Sequence, residues 1–142
     1  MIGAVLVWVP LTVVVTTFLA WRHKLPEDLP RQWGANGVAS TMPTWLFLTV
    51  ALMLTLCAAI GATLALPAGA APNRPTIYLA SGCVAAIVAG IWLATVGVTV
   101  AAGEHAVPEI GGWPLLAILG GVYGLIPFLL ARSGTVRDET MA

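Results

Sequence analysis

Four long apolar runs, residues 2–21, 45–66, 77–101 and 115–131, contain no charged side chain, and they decide what this chain can fold into. At about 1.5 Å of rise per residue, roughly 20 helical residues cross a hydrocarbon layer about 30 Å thick. The first run meets that requirement and three more follow it. Nothing alternates apolar and polar over the length of a membrane-barrel strand, which leaves helices. The expected fold is an all-α integral membrane protein. Four transmembrane helices form a compact bundle over residues 1–131, and a short polar tail covers 132–142.

Composition supports the same reading. Of 142 residues, 59% are apolar and 8% are charged, where a soluble domain carries about a quarter charged residues. A chain this small has too large a surface-to-volume ratio to hide so much apolar surface from water. Net charge is zero and there is no basic run, so nucleic acid is not expected as a partner. Cys57 and Cys83 fall inside apolar runs and read as small packing residues. The first run lacks a basic leader and ends in Arg22-His23-Lys24, not at a small-residue cleavage site, so it is expected to stay in the mature chain.

The connections are marked by Pro and Gly. Loop 1, residues 22–43, holds Pro26, Pro30, Gly34 and Gly37; loop 2 covers about 67–75. Loop 3, residues 102–114, holds Glu104, His105 and Glu109. Trp21, Trp45 and Trp113 sit where runs meet loops, as an amphipathic ring prefers at a bilayer interface. Four crossings put loops 1 and 3 on one side, opposite loop 2 and both termini. Charge does not orient the chain: Arg22, Lys24 and Arg31 on one side balance Arg74, Arg132 and Arg137 on the other.

Small residues show how the helices meet. Gly82, Ala86, Gly90 and Ala94 form a four-residue stripe in the third run, and Gly120 with Gly124 forms another in the fourth. Such stripes let backbones approach closely, which matters because lipid gives helices no hydrophobic reason to associate. The third-run stripe serves either a homo-oligomer or packing within the bundle. The second use is favoured, because a lone bundle already has several faces to cover. Pro10 and Pro127 are expected to kink their helices, with neighbouring groups satisfying the freed carbonyls.

No run holds an ionisable side chain, and proton relays, ion pathways and voltage sensors need them. The polar residues inside are mainly threonines, among them Thr12, Thr16, Thr95 and Thr99, whose hydroxyls can bond back to their own helix. No nucleophile–base pair, phosphate-binding loop or compact metal motif is present, so neither an enzyme nor a cofactor is expected. One echo stands out. His23-Lys24-Leu25-Pro26-Glu27 recurs as His105-Ala106-Val107-Pro108-Glu109, each after an odd-numbered run. It suggests two copies of one helical hairpin, with His23, Glu27, His105 and Glu109 on one face. Those residue types ligate metals, but the spacing matches no compact zinc motif, and solvated side chains are the default.

Loop 1 carries a resemblance. Leu25-Pro26-Glu27-Asp28-Leu29-Pro30-Arg31-Gln32-Trp33, followed by Asn36-Gly37, resembles the loop after the first span in the SdpI-like family of bacterial multi-pass membrane proteins. Pro26, Pro30, Trp33 and Gly37 match that pattern, while Gln32, Gly34 and Ser40 depart from it. The resemblance covers about the first 65 residues. It implies a non-catalytic protein of the cell membrane with both termini cytoplasmic and loop 1 outside, working in immunity, sensing or signalling.

The residues of loop 1 suggest a binding surface in their own right. Prolines four apart exclude a regular helix and favour a stiff, extended path without regular secondary structure. Trp33 is either a headgroup anchor or a contact for a partner, and Asn36-Gly37 is turn chemistry. The candidate partner-binding residues are Pro26, Glu27, Asp28, Pro30, Arg31, Trp33, Asn36 and Gly37. The expected partners are the lipid bilayer and another membrane or extracytoplasmic protein. The alternative is a small accessory subunit, packed into a larger membrane complex through the glycine stripes.

Overall fold

The computed structural model describes residues 2–34, 37–65, 74–103 and 114–130. Helix α1 spans Ile2–Trp21, strands β1 and β2 span Asp28–Gly34 and Gly37–Pro43, and helix α2 spans Thr44–Leu64. Helix α3 covers Arg74–Ala102 and α4 covers Pro114–Tyr123. Loop 2, loop 3 and the polar tail lie largely or wholly outside the described residues. The second connection of the expected repeat of helical hairpins lies outside the described residues.

Three helices are long and apolar enough to cross a membrane: Gly3–Trp21, Thr44–Leu64 and Pro75–Ala102. The fourth apolar helix, Leu115–Leu130, is shorter. Its regular part stops at Tyr123, a turn follows at Gly124, and helical geometry resumes over 125–130. The cause is Pro127, which has no amide hydrogen to return to the Tyr123 carbonyl. Past the break, the Phe128 amide donates to Gly124 O at 3.4 Å. At its other end, α3 accepts Pro75 in its first turn, where no intrahelical donor is needed. It stops at Gly103, whose φ of +70° is the left-handed conformation that closes many helices.

The bundle is built around α3, against which α1, α2 and α4 all pack. Over its apolar window α3 is 56% buried, against 28% for α1 and 22% for α2. The remaining surface is strongly apolar, with Val5, Met53, Leu64, Ile118 and Leu119 all exposed. A soluble monomer rarely presents so much contiguous apolar surface; a lipid-facing bundle does.

The contact between α3 and α4 shows why its glycines are glycines. A Cβ placed on Gly90 would lie 2.6 Å from Leu116 O and 2.8 Å from Ala117 Cα. On Gly120 it would meet Ala86 C at 2.7 Å, and on Gly124 it would meet Cys83 N at 2.6 Å. Gly82 faces Pro127 Cγ and Gly124 Cα at 3.0 and 3.1 Å. The stripe Gly82, Ala86 and Gly90 is thus covered by α4 within the chain, leaving Ala94, half-buried, at its far end. The Cys83 thiol adds a bond to Gly121 O at 3.2 Å.

Threonine hydroxyls of the helices, exposed or buried, are satisfied locally. Thr12, Thr16, Thr55 and Thr99 donate to carbonyls four residues earlier at 2.7–3.1 Å. No buried side-chain polar atom among the described residues lacks a partner. Pro10 leaves the Leu6 carbonyl without its helical donor. The Tyr123 hydroxyl fills that place, donating to Leu6 O at 2.9 Å and tying α4 to α1.

The expectation of an all-α chain is corrected in loop 1. There β1 and β2 form a two-stranded antiparallel hairpin. Prolines exclude a helix but not a short ladder, provided they stand at its ends or at irregularities. Pro43 ends β2, and the pairing shifts between Pro30 and Gln32 and again between Gln32 and Trp33. Gly34 pairs with Gly37, and Gly37 has a φ of +106°, which a side chain would resist. The turn chemistry expected of Asn36-Gly37 is visible in Gly37; Asn36 lies outside the described residues.

Candidate functional site

The hairpin grows directly from the helices that carry it. After α1, Lys24 N bonds to Trp21 O at 2.7 Å, reversing the chain, and Leu25 packs back on the core. At the other side, Thr44 at the start of α2 closes the base twice. Its hydroxyl donates to Pro26 O at 2.6 Å and its amide to Glu27 O at 2.8 Å. Both ends of the hairpin are therefore pinned to α2, which limits how far its strands can drift.

Leu29 fixes the hairpin from the inside. It is 1% exposed and packs in one cluster with Val14 of α1, Ala51 of α2, and Ala89, Trp92 and Val96 of α3. Trp92 is fully buried at the centre of that cluster. Its indole N–H donates to Thr17 Oγ1 at 3.0 Å, and its ring stacks on Phe47 at 5.7 Å between centroids. Phe18 meets it edge-on at 6.5 Å. One side chain from the hairpin thus joins the buried cluster of a tryptophan held by both neighbouring helices.

The candidate residues divide into three groups. Pro26, Glu27, Asp28 and Arg31 are exposed on the hairpin or its root. Pro30 is buried beside Leu29, so it shapes β1 and offers no surface to a partner. Trp33 is half-buried and already engaged within the chain, while Gly37 lies at the turn. Across the ladder, the Ser40 hydroxyl donates to Gln32 Oε1 at 3.2 Å. That contact uses two of the positions that depart from the SdpI-like pattern.

At the hairpin root an open groove of about 570 Å³ lies between the strands and the helix ends. Glu27 and Asp28 form its polar wall, and Phe18, Trp45 and Leu48 its apolar wall. Pro43 and Thr44, at the start of α2, complete it. No described residue forms an ion pair with either carboxylate.

Of the four metal-type residues, His23 and Glu27 lie among the described residues. His23 is exposed and accepts a hydrogen bond from Arg22 Nε at 3.1 Å, while His105 and Glu109 lie outside the described residues. Among the described residues no group of three or more His, Cys, Asp or Glu is placed to hold a metal.

Sequence reading missed Leu29 as the hairpin's anchor. The available signal was an apolar residue between two prolines in an otherwise polar loop, together with the short alternation of Val38, Ser40 and Met42 against Ala39 and Thr41. What the site presents is exposed charge on a braced scaffold. Comparison with protein-family models, curated proteins and solved structures finds no match.

Proposed function

We propose that this chain is a non-catalytic multi-pass protein of the bacterial cell membrane that recognises a partner protein through the loop 1 hairpin. In this reading both termini are cytoplasmic, the hairpin is extracytoplasmic, and the role is one of immunity, sensing or signalling. The observation that carries it is the bracing of the hairpin: Leu29 is buried in the bundle while Glu27, Asp28 and Arg31 remain exposed. A surface ordered before binding loses little conformational freedom when it meets its partner. The resemblance of loop 1 to SdpI-like proteins supports the same assignment.

A single experiment tests both orientation and recognition. Ala39, exposed on β2, is replaced by Cys and treated on intact cells with a membrane-impermeant, thiol-reactive photocrosslinker. The same reagent is attached at Ile118→Cys on α4 after solubilisation. The expected result is labelling of A39C from outside and a discrete protein adduct on illumination, with none from I118C. An adduct from I118C alone would favour the accessory subunit packed through its apolar helices. Labelling of A39C only in inverted vesicles would reverse the orientation.

A further inference from the structure

The groove at the hairpin root sets two of the hairpin's exposed carboxylates against an apolar wall. One wall carries two carboxylates, Glu27 and Asp28, and among the described residues no cation lines the groove. The other wall is apolar, with Phe18 near the end of α1 and Leu48 in the second turn of α2. Trp45 stands beside them, 68% exposed, where α2 meets the loop. The start of α2 itself borders the groove at Pro43 and Thr44. The Thr44 amide is taken by Glu27 O, and no side chain caps that helix end, so the amides that follow in its first turn favour negative charge.

These features match one kind of molecule. A carboxylate pair takes an ammonium group that can donate several hydrogen bonds. An indole face beside it favours the same cation. The first-turn amides of α2 suit a phosphate, and the apolar wall suits the first methylenes of an acyl chain. We propose that the groove seats a phospholipid with a primary-amine headgroup, entering sideways from the bilayer. Glu27 and Asp28 hold its ammonium, the start of α2 faces its phosphate, and Phe18 and Leu48 take its chain. The inference rests on the chain spanning a membrane, but not on the hairpin's recognition of a protein.

The test uses the full-length protein in mild detergent, titrated with defined lipids and read by native mass spectrometry. Wild-type protein is expected to retain phosphatidylethanolamine in preference to phosphatidylcholine, whose quaternary head donates no hydrogen bond, and to phosphatidylglycerol. Glu27→Gln combined with Asp28→Asn should weaken phosphatidylethanolamine retention by roughly tenfold or more, the loss of its charge-assisted contacts, and leave phosphatidylglycerol unchanged. Trp45→Ala, on the exposed rim, should lower retention without altering the melting midpoint, and serves if the double variant folds poorly. Equal retention of the three lipids by wild type, or a preference that survives both variants, would overturn the proposal. So would selective uptake of a cationic amphipathic peptide with no lipid preference. Protein that stays monodisperse in water without detergent would instead remove the membrane reading beneath it.

Discussion

Gly120→Ala is expected to destabilise the bundle severely, while Gly121→Ala, one residue along the same helix, is expected to be tolerated. The two changes are chemically identical, and by intrinsic propensity each should favour helix by about 1 kcal/mol. Their surroundings differ. A methyl on Gly120 would overlap the α3 backbone, with Ala86 C at 2.7 Å and Ile87 N at 3.0 Å. A methyl on Gly121 would meet only the Ile87 side chain, at 3.8 Å and beyond. Backbone cannot swing aside as a side-chain tip can, so relief requires the helices to separate. Overpacking of this kind costs about 1–3 kcal/mol and occasionally more. Thermal unfolding of both variants in one detergent measures the difference. Equal midpoints would mean that α3 and α4 do not meet as described.

The second large effect is expected at Trp92. Removing the indole with Trp92→Ala should cost about 3–5 kcal/mol, the range for emptying a buried aromatic site. Trp92→Phe keeps a ring but loses the donor to Thr17, and should cost about 1 kcal/mol beyond the change in shape. The Thr17 hydroxyl is not orphaned, because it also donates to Val13 O at 2.7 Å. Where lipid is the solvent, the loss in Trp92→Ala is chiefly of packing contacts, because lipid is as apolar as the site itself. Its consequence should reach beyond the helices, since the cluster that loses its centre also holds Leu29. Chemical unfolding followed by circular dichroism gives the stability. A Trp92→Ala protein as stable as Trp92→Phe would contradict the packing described for this cluster.

The parts legible in the sequence were those set by local physics. Uncharged apolar runs located α1 to within its observed bounds, and α2 and α3 to within a few residues, because in lipid a helix satisfies its own backbone. The four-residue stripe marked a close-packed face of α3. It did not name the partner: small residues announce that something approaches, and only the tertiary structure shows that α4 does. The break in α4 was foreshadowed by Pro127, but the bond from Tyr123 to Leu6 joins residues too far apart for local patterning to reveal.

Loop 1 was misread for a definable reason. Its strands are seven residues each, their alternation is brief, and their prolines masked a ladder that accommodates them at its end and at register shifts. The same prolines were taken to stiffen the loop. Pro30, however, is buried, whereas Arg31 next to it is exposed. The charged part of the candidate set that stays exposed is therefore Glu27, Asp28 and Arg31.

The central claim is that this hairpin is a preformed surface braced by the bundle through Leu29. Amide hydrogen exchange of the full chain in lipid nanodiscs tests it most directly. Ladder amides within residues 28–34 and 37–43 should be protected well above unstructured peptide rates, and Leu29→Ala should release them while α1 and α3 stay protected. Hairpin amides that exchange freely in the wild-type protein, or protection unchanged in Leu29→Ala, would contradict it.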